Sequence, residues 1–318
     1  MMRLLVLLLL ILLPALAMAQ ELASTTVTLA TGTARGDIVM RVTAPPGTGP
    51  LPLVLFSHGN FYSKDDYQPL VAAWAKAGFA VIQPTHLDAR VLALPADDPR
   101  KPGIWRSRRD DLVYVLDHLD QVTAQAPALR GRVTASRVLV AGHSYGGHTV
   151  EMLLGARVRD PETKAWLDLS DARVAGGVLL APPGPWADLA PNWKPLGVYL
   201  DVNWSAMRRP ALVVVGELDH GPMSPRDWSW RGEAYSQSPV GLPDGAHCLL
   251  LLHDVGHFLG GIGGPNATEA GTNPAAVTLV ATATADYLRT LAAPSDPAWP
   301  RALARLRDLP LVARAECR

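Results

Sequence analysis

The sequence predicts an α/β fold in which a mostly parallel sheet of eight strands is flanked by helices. Short apolar segments alternate with segments that repeat apolar residues at helical spacing. Residues 51–56 form a continuous apolar run, typical of a strand buried on both faces of a parallel sheet. Alternating strands and helices favour right-handed crossovers, with helices on both faces. Because no internal repeat or low-complexity linker divides the sequence, we expect a single domain over residues 20–318.

Apolar patterning between turn signals predicts eight strands, at 24–29, 37–42, 51–56, 79–82, 137–140, 174–180, 211–215 and 247–252. The first helix is expected to begin at Ser63, where Asp66 completes a capping box, and to end at Gly78. Ser107 and Asp110 predict the start of the second helix in the same way.

Two more helices are predicted along the second half of the chain. One follows the strand at 137–140, and the other begins at Asn273-Pro274, a typical N-cap and first helical residue. A further short helix is expected to end the chain. Three segments are predicted to be irregular: a loop at 84–103, a polar connection at 157–171 and an insertion near 182–207.

The N-terminus has the pattern of a secretory signal peptide over residues 1–19. A positive start precedes an apolar stretch, and Ala17-Met18-Ala19 is a small-residue cleavage motif. The alternative is a membrane anchor, but Pro14 interrupts the apolar run, which is shorter than the roughly 20 residues of a span. We therefore expect an exported protein, periplasmic or extracellular, with no membrane span after signal cleavage.

The charge balance of the chain disfavours nucleic acid as a partner. Basic and acidic residues number 29 each, so the formal net charge is zero. Only 18% of residues are charged, while proline and glycine number 28 and 27. This composition indicates a well-buried core joined by rigid loops rather than a disordered chain.

The two cysteines suggest a covalent link at the C-terminus. Cys248 lies in the apolar strand at 247–252, and Cys317 is the penultimate residue. An oxidising compartment permits a disulfide between them. The alternative is a buried free thiol at Cys248 and a frayed C-terminus.

The segment Gly142-His143-Ser144-Tyr145-Gly146 is the strongest functional motif. It lies between a predicted strand and a predicted helix, which is the layout of the nucleophile elbow of α/β-hydrolases. A tight turn of this kind exposes the serine hydroxyl above the sheet edge, with the N-terminus of the next helix pointing at it. The alternative is an ordinary glycine-rich turn. We expect Ser144 to be a nucleophile.

A serine nucleophile requires a base, and the base requires an acid, which lie in the order Ser, acid, His in this fold. Asp219 follows the strand at 211–215 and is our candidate acid. Asp188 is the alternative acid, since it follows the preceding strand. Glu217 is interpreted as structural because it lies closer to the strand.

His257 is the candidate base because it lies on a loop after the last predicted strand. His253, four residues earlier, is expected to pack or to form local hydrogen bonds. The same spacing would allow a metal site on a helix, but Gly256 and the preceding strand argue against a helix there. We expect neither a metal nor a cofactor. His58 and His143 are interpreted as supporting residues.

The oxyanion hole of this fold uses one N–H after the nucleophile and one from the loop after the third strand. The first is assigned to Tyr145 and the second to Asn60, with Phe61 as the next choice. Phe61, His58 and Trp186 are the expected substrate contacts. Five tryptophans would line an apolar pocket or, equally well, pack the insertion against the domain: Trp186, Trp193, Trp204, Trp228 and Trp230.

With these residues in place, the chain resembles bacterial chlorophyllase-like and platelet-activating-factor acetylhydrolase-like esterases, a group related to dienelactone hydrolases. The resemblance covers about residues 45–290 and is carried by the segments 55–60, 109–117 and 142–147 and by Gly256-His257. It implies a metal-independent serine esterase that acts on short-chain or lipid-like esters. True dienelactone hydrolases use a cysteine where this chain has Ser144, so their specific activity is not implied.

Taken together, the sequence predicts an exported serine hydrolase that cleaves small-molecule or lipid-like carboxylic esters through an acyl-enzyme intermediate. Ser144, His257 and Asp219 would form the catalytic triad. One alternative is an amidase or peptidase with the same triad. The other is a catalytically inactive binding protein on the same scaffold.

Overall fold

The computed structural model describes residues 21–242, 247–265 and 272–318, and the signal peptide predicted at 1–19 lies outside them. The described residues form twelve strands: β1 (Ala23–Leu29), β2 (Ile38–Ala44), β3 (Leu53–Ser57), β4 (Ala80–Pro84), β5 (Val138–His143), β6 (Arg157–Arg159), β7 (Trp166–Asp168), β8 (Val174–Leu180), β9 (Val202–Asn203), β10 (Ala211–Gly216), β11 (His247–Leu252) and β12 (Ala313–Cys317). They form seven α-helices: α1 (Gln68–Lys76), α2 (Ile104–Asp117), α3 (Leu119–Gln125), α4 (Tyr145–Leu154), α5 (Glu233–Ser236), α6 (Pro274–Ala292) and α7 (Ala298–Arg307).

Nine of the strands form one sheet in the order β1-β2-β4-β3-β5-β8-β10-β11-β12. The neighbours from β4 to β11 all run parallel, whereas β1, β2 and β12 pair antiparallel at the two edges. Every residue of β3, β4, β5, β10 and β11 is buried. This burial accounts for their continuous apolar runs, because helices cover both faces of the sheet.

The helices form a layer on each face of the sheet. Apolar side chains of α2, α3 and α4 join the core on one face, and those of α1, α6 and α7 join the core on the other. Crossovers of one hand place helices in this way around parallel strands. None of the helices in the described ranges is both long enough and apolar enough to cross a membrane.

The predicted fold class is confirmed, but the end of the chain differs from the expectation. After α7 the chain adds β12 as a ninth strand, antiparallel to β11, instead of ending in a helix. Two of its five residues are charged and it lies at the edge of the sheet, so periodicity gives little indication of a strand. Its strand conformation comes from pairing with β11.

Two of the three segments predicted to be irregular contain a second, small sheet. Strands β6 and β7 come from the connection at 157–171, and β9 comes from the insertion at 182–207. They pair antiparallel in the order β7-β6-β9. Each has only two or three residues, too few for the alternation that identifies a strand in a sequence.

The first two helix starts also differ from the prediction. The carboxylate of Asp66 does accept a hydrogen bond from the Ser63 N–H at 2.8 Å, but this bond closes a turn before the helix. Tyr67 then has a left-handed conformation with φ of 65°, and α1 begins at Gln68. Helix α2 begins at Ile104, three residues before the predicted cap. At α6 the prediction holds, because the Asn273 side chain accepts the N–H of Ala276.

A disulfide joins Cys248 in β11 to Cys317 in β12, as the sequence suggested. The two residues are direct partners in the antiparallel register. The Trp299 indole of α7 donates to the sulfur of Cys248 at 3.3 Å. The bond therefore fastens the C-terminal strand to the strand that leads to His257.

We expect Cys317→Ser to lower the free energy of unfolding by about 4 kcal/mol, the loop-closure value for the 69-residue separation of the cysteines. Urea unfolding of the oxidised protein and the variant measures this difference. Wild-type protein treated with a reductant is the matched control and should unfold like the variant. Identical midpoints for oxidised and reduced wild-type protein would contradict the prediction.

Candidate active site

The three predicted catalytic residues lie at the carboxyl edge of the parallel strands. Ser144 follows β5, Asp219 follows β10, and His257 follows β11. Loops at this edge of an open α/β sheet are the usual place for a ligand site. Residues far apart in the sequence therefore meet because β5, β10 and β11 end at the same edge of the sheet, with only β8 between β5 and β10.

The elbow at Ser144 is fixed by close backbone packing. Ser144 has φ of 54° and ψ of −119°, a conformation that residues with a side chain rarely adopt. A Cβ at Gly146 would lie 2.0 Å from the carbonyl oxygen of Ser57, and one at Gly142 would lie 2.2 Å from the carbonyl oxygen of Gly146. Only glycine fits these two positions, which explains their spacing around the serine.

Ser144, His257 and Asp219 form a continuous hydrogen-bonded chain. The Ser144 hydroxyl lies 2.9 Å from Nε2 of His257, and Nδ1 of His257 lies 2.8 Å from Oδ2 of Asp219. A carboxylate can only accept, so Nδ1 carries the proton and Nε2 accepts from the serine. This tautomer allows the imidazole to remove the proton of Ser144.

Asp219 is buried, and burial alone would raise its pKa. The hydrogen bond from His257 and the charge of Arg231 outweigh this effect and hold the pKa of Asp219 well below its usual value. The carboxyl group is therefore ionised at any pH at which the imidazole titrates. An ionised acid is what the triad arrangement requires.

Backbone contacts hold the acid loop, the segment after β10 that contains Asp219, against the base loop, the segment after β11 that contains His257. The N–H of Leu218 donates to the carbonyl of Val255 at 2.9 Å, and the N–H of Glu217 donates to the carbonyl of Leu252 at 2.8 Å. A Cβ at Gly216 would lie 2.4 Å from the carbonyl oxygen of Val255, so glycine permits this approach. The distance between acid and base is thus fixed by the main chain.

The alternative residues have other partners. Asp188 forms an ion pair with Arg226, and Glu217 lies 3.0 Å from Nδ1 of His253. His253 thus makes the local contact expected of it. Across the described ranges, no group of three or more His, Cys, Asp or Glu residues is arranged to hold a metal ion.

His143 links the oxyanion loop, the segment after β3 that contains Gly59 and Asn60, to the base loop. Its Nε2–H donates to the carbonyl of His257 at 3.0 Å, so its Nδ1 accepts from the Tyr67 hydroxyl at 2.9 Å. The Tyr67 oxygen in turn accepts the N–H of Gly59 at 3.1 Å. Burial and the nearby charge of His257 hold the pKa of His143 well below its usual value, so its imidazole stays neutral.

The two predicted oxyanion residues line the same pocket as Ser144. Asn60 lies on the loop after β3, and Tyr145 is the first residue of α4. The first N–H groups of a helix have no acceptor within that helix, so the N–H of Tyr145 is available to an anion. The fold thus brings Asn60 and Tyr145 to the pocket that contains Ser144.

His58 does not line this pocket. Its side chain is buried, with Nδ1 2.7 Å from the Gly59 carbonyl oxygen and Nε2 accepting the N–H of His86. The carbonyl of His58 accepts a hydrogen bond from Arg108, which also pairs with Asp88. The side chain of His58, an expected substrate contact, thus lies outside the pocket and packs behind the loop after β3.

The pocket at Ser144 has a volume of about 260 Å³ and is mainly apolar. Its residues come from the end of β5, from the segments that follow β3, β5, β10 and β11 and from the insertion at 182–207: Gly59, Asn60, Tyr62, His143, Ser144, Tyr145, Pro183, Trp193, Leu196, Gly197, Tyr199, Leu200, Met223, Arg231, His257 and Phe258. The expected contact Trp186 does not line this pocket. Its indole N–H donates to the carbonyl of Lys194 at 3.0 Å, outside the pocket.

Only one of the five tryptophans, Trp193, lines the pocket of Ser144. Trp204 and Trp230 are buried in the core, in keeping with the packing alternative. Phe61 lies beside the pocket rather than in it, in an adjoining depression that shares Asn60 and Tyr145. Of the five candidate tryptophans, the pocket therefore contains Trp193 and not Trp186, the one singled out as a substrate contact.

Sequence reasoning also missed Arg231. The side chain is buried, lines the pocket, and has its Nε 2.5 Å from Oδ2 of Asp219. Arg231 lies 12 residues after Asp219, beyond the short turn at Trp228–Trp230. Nothing in its sequence neighbourhood marks it as a partner of the acid.

We expect Asp219→Asn to slow the reaction of Ser144 with a fluorophosphonate by a factor of about 10⁴, because an amide stabilises the wrong imidazole tautomer. Mass spectrometry of the labelled serine measures the rate. Asp188→Asn is the matched control and should react at the wild-type rate. A greater loss in Asp188→Asn would identify the other acid.

Tyr67→Phe is expected to slow the same labelling about tenfold, since Gly59 loses its acceptor and His143 its donor. Tyr114→Phe is the control, because it removes a hydroxyl hydrogen bond at the protein surface, to the carbonyl of Ala30. Its labelling rate should equal that of the wild type. Equal rates in both variants would exclude a role for Tyr67 in the site.

The described structure is similar to a known crystal structure, that of a dienelactone hydrolase from Anabaena variabilis. The match has 17% sequence identity and a TM-score of 0.51, and it covers 84% of this chain and 97% of that chain. No family model matches the sequence, and no curated protein is significantly similar to it. Similarity at this identity concerns the fold alone, and the chain has the α/β-hydrolase fold that the sequence predicted.

Proposed function

We propose that this protein is an exported serine hydrolase that cleaves carboxylic esters through an acyl-enzyme intermediate. The observation that carries the proposal is the unbroken hydrogen-bonded chain from Ser144 through His257 to Asp219 at the base of an apolar pocket. A serine hydroxyl becomes a nucleophile when a base in hydrogen-bond contact can take its proton. The similarity of the fold to a dienelactone hydrolase is consistent with hydrolytic chemistry.

The reaction follows from the positions of the groups. Ser144 Oγ attacks the ester carbonyl while its proton passes to Nε2 of His257, and Asp219 stabilises the imidazolium. The N–H groups of Asn60 and Tyr145 hold the negative oxygen of the tetrahedral intermediate. Collapse of the intermediate expels the alcohol, which takes the proton from His257. Water then attacks the acyl-enzyme by the same steps in reverse and releases the acid.

The shape of the pocket favours a small ester with an apolar group. Trp193, Leu196 and Leu200 contribute apolar surface from the insertion, and Phe258 does so from the base loop. Arg231, the basic residue in the pocket, is already paired with Asp219. A neutral substrate therefore meets aromatic and aliphatic surface on entering.

Export is supported by the N-terminal pattern and by the cysteine pair. Residues 1–19 have the sequence of a signal peptide. The disulfide between Cys248 and Cys317 belongs to an oxidising compartment, since cytosolic thiols are kept reduced. The two observations are independent of each other and favour the same location.

Purified mature protein should hydrolyse p-nitrophenyl acetate and butyrate, and Ser144→Ala should lower kcat by at least a factor of about 10³ while retaining the wild-type circular dichroism spectrum. p-Nitroanilides of the same acids test the amidase alternative. A folded wild-type protein that neither labels with a fluorophosphonate nor hydrolyses any ester would instead favour a binding scaffold. Full activity in Ser144→Ala would refute the proposed nucleophile.

A further inference from the structure

Arg231 and His257 share one oxygen of the triad acid. Nε of Arg231 lies 2.5 Å from Oδ2 of Asp219, and Nδ1 of His257 lies 2.8 Å from the same oxygen. We propose that Arg231 is a positioning residue that divides the charge of Asp219 with His257 and thereby keeps the enzyme active at lower pH. This inference rests on the proposed serine hydrolase function.

The guanidinium of Arg231 is held in place by its surroundings. One of its terminal nitrogens donates to the carbonyls of Ala181 and Pro182 at 3.2 and 3.4 Å. Its centre lies 5.2 Å from the ring of Trp230. Only 5% of the side chain is exposed, so water does little to screen its charge. The charge of this rigid, buried cation therefore acts on Asp219 and His257 with little screening by solvent.

The charges of the site balance when Arg231 is counted. In the free enzyme the anion of Asp219 is offset by the cation of Arg231, and the imidazole is neutral. After proton transfer, the imidazolium of His257 is offset by the oxyanion. A triad without the arginine would carry a net negative charge in both states, and this charge would favour the protonated imidazole. The cation of Arg231 cancels this net negative charge, so the imidazole of His257 stays neutral down to a lower pH.

Other ionisable groups around His257 do not replace this effect. They lie at the end of β5 and on the segments after β3, β10 and β11: Tyr62, Tyr67, His143, Glu217, His253 and Asp254. His143 is kept neutral by burial, and tyrosines are neutral in the acid range. Glu217 and His253 pair with each other. Asp254 is exposed to solvent, so its charge is screened.

The experiment follows the ring protons of His257 by NMR across a pH titration, with the signal assigned by its loss in His257→Gln. In Arg231→Gln the midpoint should move up by about one pH unit relative to the wild type, because loss of a nearby cation favours the imidazolium. Arg231→Lys keeps the charge and is the matched control, with a midpoint close to that of the wild type. The acid limb of kcat/KM for p-nitrophenyl butyrate should move by the same amount as the NMR midpoint.

An unchanged midpoint in Arg231→Gln, or an equal shift in Arg231→Lys, would overturn the proposal. Should Arg231→Gln fail to fold, Asp219→Asn is compared with the double variant Asp219→Asn/Arg231→Gln, in which no buried acid remains unpaired. The midpoint should be higher by about one unit in the double variant. Wild-type protein inactive on every ester would refute the proposed function, whereas the NMR comparison would still decide the role of Arg231.

Discussion

Close contact between backbones at the carboxyl edge of the sheet is the constraint on which the site depends. Gly146 packs against the carbonyl of Ser57, and Gly216 packs against the carbonyl of Val255. The first contact fixes Ser144 relative to the loop after β3, and the second fixes Asp219 relative to His257. A single extra carbon at either position would separate strands whose spacing sets the distances between reacting groups.

The residues that could be recognised from the sequence are those whose role requires a local pattern. The elbow needs glycines at fixed spacing, and buried parallel strands need continuous apolar runs, so Ser144 and most of the sheet were predictable. Long-range pairing leaves no such pattern. Strand β12, the contact of Arg231 with Asp219 and the choice of Trp193 over Trp186 all depend on how distant segments pack. The capping pattern at Ser63 was real but closed a turn instead of a helix.

Buried charges around the site occur as compensated sets. Arg108 pairs with Asp88 beneath the oxyanion loop, and Asp111 pairs with Arg35 and His86 behind it. Burying an unpaired charge is costly, whereas a paired and hydrogen-bonded one is tolerated. The oxyanion loop therefore rests on a rigid polar layer in place of apolar packing. Such a layer holds its geometry because each group has few alternative partners.

The insertion at 182–207 forms much of the pocket but provides none of the triad. Its residues Trp193, Leu196 and Leu200 line the pocket, while Ser144 and His257 reach the same pocket from strand ends elsewhere in the chain. Under the proposed function, the acid–base chemistry and the choice of substrate are thus encoded in separate stretches of the gene. Substitutions in the insertion would then change the substrate without disturbing the chemistry, which gives this architecture a short evolutionary path to new specificities.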